Sequence, residues 1–136
     1  MLNQNSNIKN QNQDKNSKTE LKYRAFYLSI KVIKFLEYLD YKQSIKIITD
    51  QLIRSITSVG ANIVEAKASS SKKEFLNYFQ ISLKSANEAK YWLAMLKELL
   101  SETEEKQEID TFLKELDEIS KIIGTSVLTM KGKRNL

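Results

Sequence analysis

The 136-residue chain has no cysteine, no histidine and no proline, and only three glycines, Gly60, Gly124 and Gly132. Without cysteine there are no disulfides, no thiolate nucleophile and no cysteine metal site. Without histidine the commonest general base and transition-metal ligand are gone. Catalysis would fall to carboxylates, lysines and tyrosines, so no enzyme activity and no cofactor are expected. The lack of proline and glycine removes the turn punctuation of β-rich proteins and leaves an all-α class. No stretch offers the ~20 apolar residues that span a bilayer. The amino terminus, MLNQNSNIKNQNQDKNSK, has no apolar signal core, so the expectation is a soluble, cytoplasmic protein without a membrane partner.

What the chain does contain is enough apolar side chain, 41% of residues, for one core. Residues 1–18 are dominated by asparagine and glutamine and cannot bury enough surface to offset ordering. They read as a disordered tail, either a functional arm or a remnant of coding bias. From Leu21 an apolar seam recurs at steps of three and four, through Ala25, Leu28, Val32, Phe35 and Leu39. The spacing predicts helices over about 20–40, 44–68, 72–100 and 104–130, within a bundle spanning 19–130, followed by a basic tail over 131–136. Ser71 with Glu74 has capping-box spacing at the start of helix three, and Ser101 or Thr103 is placed to cap helix four. Four long helices with short connections pack most simply as an antiparallel up-down-up-down four-helix bundle.

The centre of helix two, RSITSVGANIVEA, surrenders helix propensity: glycine alone costs about 1 kcal/mol relative to alanine. Close packing is the expected return, with Ser55, Ser58 and Ala61 meeting Ser82, Ser85, Ala86 and Ala89 of helix three. Arg54, Ser58, Ala61 and Glu65 share one stripe, with Asn62 beside it and Asn87 and Glu88 on helix three. If exposed, the stripe is a solvated face. If helix three covers it, as the small surrounding residues favour, Arg54 and Glu88 pair and fix register more than they add stability.

These residues also carry a resemblance. The segment QLIRSITSVGANIVEAKASSSKKEFLNYFQISLKSANEAKYWLAMLKE is similar to the signature region of a bacterial four-helix-bundle family, first named for proteins encoded in intervening sequences of large-subunit ribosomal RNA genes. The pattern RS-x-TS-x-x-ANI-x-EA, then S-[KR]-K-E-F, then A-N-E-x-x-YWL carries it, and the likeness runs from about Leu21 to Met130. It implies a small antiparallel bundle that in several relatives forms a homo-oligomeric five-fold ring. It extends to the accessory variability proteins of diversity-generating retroelements, basic pentamers that bind nucleic acid and a reverse transcriptase. Many relatives carry proline at the position of Gly60 and glycine at that of Ala66. By motif, Arg54, Ser58, Asn62, Glu65, Glu88 and Trp92 are the recurrent positions, expected to be structural or at subunit contacts. No catalytic assignment transfers.

The net charge is +5, but its placement is more informative. Thr19 to Lys97 holds 13 basic and 7 acidic residues, whereas Glu98 to Met130 holds 3 and 9. Up-down-up-down topology brings Lys18, Lys22, Arg24, Lys67, Lys72, Lys73, Lys131, Lys133 and Arg134 to one pole. Glu37, Asp40, Glu98, Glu102, Glu104, Glu105 and Glu108 gather at the other. Repeated around a ring, the basic pole makes a collar suited to phosphate backbones. Arg24, Tyr27, Lys31, Lys34 and Tyr38 form a second stripe that either holds single strands by charge and stacking or is an ordinary solvated face. The carboxylates of helix four, EKQEIDTFLKELDE, read as a solvent face. The function these features point to is RNA or single-strand binding by a non-enzymatic homo-oligomer. The alternative is an adaptor whose ring face docks a partner enzyme such as a reverse transcriptase.

Overall fold

The computed structural model describes residues 21–40 and 42–132. Four helices follow in order: α1 (Leu21–Glu37), α2 (Gln43–Ala68), α3 (Lys72–Leu99) and α4 (Thr103–Gly132). Each helix packs on the next and α1 closes the ring against α4, while the diagonal pairs stay apart. This is the antiparallel four-helix bundle that short connections force. The expected amino-terminal tail, with Lys18, and the tail residues Lys133 and Arg134 lie outside the described residues. Among the described residues, no helix is long and apolar enough to cross a membrane.

The helices start and stop for identifiable reasons. Ser71 caps α3 by accepting the Glu74 backbone N–H at 3.1 Å. The return bond is displaced by one residue from the expected box: the Glu74 carboxylate accepts from the Ser70 backbone N–H and hydroxyl, both at 3.1 Å. At α4 neither Ser101 nor Thr103 is the cap. Thr103 is already helical, and the Glu102 carbonyl accepts the first helical bond, from Lys106 N–H at 3.1 Å, so Glu102 holds the cap position. Helix α1 ends at Glu37 rather than near 40, because the Tyr38 and Leu39 N–H groups turn back to carbonyls three residues earlier. At the other extreme α4 continues through Lys131, which stands in its last turn rather than in a tail.

The core runs the length of the bundle. Val32, Leu52, Ile63, Leu93, Leu96, Ile109, Leu116, Ile119 and Ile123 are all sealed from solvent. At one level Phe35 of α1 meets Phe112 of α4 edge to face, with ring centroids 5.5 Å apart. The most extensive packing is between α2 and α3.

That packing accounts for the small residues of α2, though by two seams rather than one. Toward α3, the fully buried Ser82 hydroxyl donates to the Val59 backbone carbonyl at 2.7 Å. Ser58 and Ser85 hydroxyls meet at 2.8 Å. A short side chain reaches a neighbour's backbone only when two helix axes lie close. Toward α1, Ser29 donates to the Ile56 carbonyl at 3.1 Å, and a Cβ placed on Gly60 would stand 3.3 Å from Ala25 Cβ. Gly60 therefore serves the α1 contact, not the α3 contact. Ala61 is exposed and belongs to neither seam.

Candidate nucleic-acid interface

The polar stripe of α2 divides into a half-buried centre and exposed ends. Asn62 Nδ2 donates to Ser58 Oγ at 2.9 Å and to the Ser58 carbonyl at 2.8 Å. Ser58 Oγ thus accepts from Asn62 while sharing a hydrogen bond with Ser85 in which either hydroxyl can donate, so Asn62 ties the pair to α2. Arg54 and Glu65 are exposed. The expected Arg54–Glu88 pair is not formed: the antiparallel register set by Ser58 and Ser85 puts them level, but Glu88 accepts the Trp92 indole N–H at 3.2 Å instead. Both lie on the flank that α3 leaves open to water, where long charged side chains gain little from pairing.

Helix α4 is not a plain solvent face. Its acids reach across to the neighbouring helices. Arg24 of α1 donates through Nε to Glu115 at 2.9 Å and through its terminal nitrogen to Glu118 at 2.8 Å, with a further bond to Glu115. Lys90 of α3 bonds Asp117 at 3.3 Å, and Lys97 meets Asp110 at 2.7 Å. Hydrogen bonds from Lys121 and then Lys90 hold the Asp117 carboxyl below its ordinary value of 3.8. Arg24 is therefore withdrawn from the basic pole into an interhelical clamp. The contrast between basic helices one to three and acidic helix four is used, in part, to hold α4 in place.

The remaining cations separate into two groups. Lys31 and Lys34 are exposed on α1 with Tyr27 and Tyr38, but they stand roughly 15–20 Å along the helix from Leu21 at 1.5 Å per residue. Lys22 is half-buried, its ammonium 5.0 Å from the Tyr23 ring centre. Lys67, Lys72, Lys73 and Lys131 are exposed at one end of the bundle, at the close of α2, the opening of α3 and the close of α4. Among the described residues none of these four pairs with a carboxylate.

A cleft of about 530 Å³ lies at that end, and its walls establish that the four helix ends converge there. Leu21 comes from α1, Lys67 from α2, Phe75 and Phe79 from α3, and Lys121, Ile122, Thr125, Ser126, Thr129 and Met130 from α4. The two phenylalanine rings are 4.5 Å apart at a 30° tilt. Among the described residues, none that line it is acidic. The α4 contribution went unrecognised in the sequence. Lys121, Thr125 and Thr129 recur every four residues on one face, a visible signal, but a polar stripe beside an apolar seam is what any solvated helix flank shows.

The sequence profile of the 23S rRNA-intervening sequence proteins matches residues 17–125. Among solved structures, the chain is similar to a protein of unknown function from the S23 ribosomal protein family of Bacteroides thetaiotaomicron VPI-5482. The two are 29% identical, with a TM-score of 0.70 over 79% of this chain and 97% of that one. Among curated proteins nothing matches. The likeness to retroelement accessory proteins is not among these matches and stands on the sequence alone.

Proposed function

The chain belongs to the 23S rRNA-intervening sequence protein family, and from that footing we propose that it is a non-enzymatic homo-oligomer that binds RNA or single-stranded nucleic acid through its basic pole. The observation that carries this reading is the placement of Lys72 and Lys73 in the first turn of α3. A helix amino terminus is already positive, so cations there are disfavoured by a few tenths of a kcal/mol each; Glu74 in the same turn offsets one of the two lysines and leaves a net positive charge for an anion to meet. Lys67 and Lys131, in the last turns of α2 and α4, add charge to the same pole. Those two also have a plain structural role, since cations suit helix carboxyl ends. Lys72 and Lys73 do not share that excuse.

Oligomer formation draws support from a second surface. Ile47, Tyr91 and Leu99 are 60%, 59% and 50% exposed. The register of Ser58 against Ser85 sets Ile47 level with the Trp92 to Leu99 stretch, so the flank left open beside Arg54 and Glu88 is apolar toward its far end. Association of copies through this flank would repeat the basic pole around an axis.

Binding of a labelled single strand at two salt concentrations tests the nucleic-acid reading. Affinity should fall steeply with salt, and replacing Lys72 and Lys73 by Gln should lower the slope of log K against log salt by about 1.4, at roughly 0.7 per phosphate contact. Weak binding that ignores salt would remove the proposal.

A further inference from the structure

We infer that the cleft at the basic pole is a base-binding pocket, into which an unstacked nucleobase of a single strand inserts while flanking phosphates rest on the lysines around it. The inference rests on the nucleic-acid reading above and deepens it. Charge alone would favour any polyanion, duplex or single-stranded; a pocket that takes a base would favour strands whose bases are free.

Three features of the cleft suit that occupant. Its volume, about 530 Å³, falls within the ~300–1,000 Å³ of small-ligand sites and accommodates a planar base with its sugar. Phe75 is only partly buried, it lies against Phe79 with ring centroids 4.5 Å apart, and both line the cleft, so aromatic surface forms part of its wall. Stacking on such a surface is tolerant of base identity because every base has a π-face. The α4 wall adds Thr125 and Thr129, both at exposed positions, whose hydroxyls are able to donate to or accept from a base edge.

Charge completes the match. Lys67 and Lys121 line the cleft from α2 and α4, and among the described residues no carboxylate lines it. Lys121 is paired with Asp117 at 3.0 Å, but its side chain is 75% exposed. Such exposed pairs contribute little, so its ammonium can turn to a phosphate at small cost. An acyl anion would use the apolar walls and the lysines but leave the hydroxyls of α4 without a role.

The test uses the full chain and two end-labelled strands of equal length and charge, one oligo(dA) and one an abasic deoxyribose-phosphate chain, compared by fluorescence anisotropy at one low salt concentration. The base-bearing strand should bind about tenfold more tightly, the scale of stacking one base. Thr129→Trp fills the cleft from an exposed position without changing charge and should bring the two affinities together. Phe75→Leu, which keeps the apolar volume and removes the ring, should cut the preference several-fold and serves should the tryptophan variant fail to fold. Lys72→Gln should weaken both strands equally and leave their ratio intact. Equal affinities in the unaltered chain, or a preference that survives both cleft variants, would overturn the pocket while leaving the charged pole standing. Equal affinities together with saturable binding of dodecanoate would reassign the cleft to an acyl anion. Failure of both strands to bind would remove the nucleic-acid reading itself, and the pocket with it.

Discussion

The two sides of the bundle are joined by different physics. Between α2 and α3, and between α1 and α2, the contact is backbone-close: Ser82 and Ser29 hydroxyls bond to the carbonyls of α2, and Gly60 leaves Ala25 almost no room. Around α4 the apolar interior is sealed at its rim by Arg24 with Glu115 and Glu118, Lys90 with Asp117, and Lys97 with Asp110. The first kind of seam depends on what is missing from the side chains; the second depends on long side chains that reach across. A seam of small residues has no slack, because added atoms meet close-packed neighbours. A rim of ion pairs is open to water and gives way at little cost.

Substitutions can break that contrast, and the largest effect should come at Ser82. Ser82→Leu forces extra volume into a fully buried position and removes the bond to Val59, and should lower stability by about 3 kcal/mol in urea or thermal melts. A neutral result would mean that the helices can separate freely there. Gly60→Val should follow at about 2 kcal/mol, since its branches drive into Ala25 and the α1 backbone. Gly60→Ala sharpens the point: its gain in helix propensity, about 1 kcal/mol, opposes a contact of 3.3 Å, and a stabilised variant would show that α1 can shift by a few tenths of an ångström. Arg24→Ala should cost only about 1 kcal/mol, despite losing bonds to two carboxylates. Equal losses at Arg24 and Ser82 would erase the distinction between the seams.

The smallest effect concerns pH. Asp117 is held below its ordinary value of 3.8 in the folded chain by Lys121 and Lys90. Its contribution is therefore present above that value and is lost as pH falls through the lower native one. The stability difference between the native chain and Asp117→Asn should stay flat from about pH 8 to 5 and shrink below about pH 4, as followed by denaturant titrations.

The helices and their antiparallel order were legible because periodicity is local: an apolar residue every three or four positions has one cheap solution, a buried stripe. The small run on α2 was legible as a cost, but its beneficiaries were not. Sequence spacing marks Gly60 and Ser58 as neighbours on one helix, whereas α1 takes the first and α3 the second. Arg54 and Glu88 were expected to pair on the premise that helix three covers the stripe, as its small residues favoured; both instead stay exposed, and Glu88 accepts from Trp92. Arg24 looked like a member of the basic pole, since nothing local shows that Glu115 and Glu118, far along the chain, face it. The cleft was invisible for the same reason, being assembled from all four helices.

From its sequence alone this protein was committed to four amphipathic helices with apolar seams and a run of small residues on α2, because composition and period act over a few residues at a time. Tertiary structure decided which side chains spend their charge on other helices and which keep it for solvent. It also decided that the four helix ends enclose a basic-rimmed cleft, since the relative rotation and offset of packed helices depend on contacts between residues that sequence order keeps far apart.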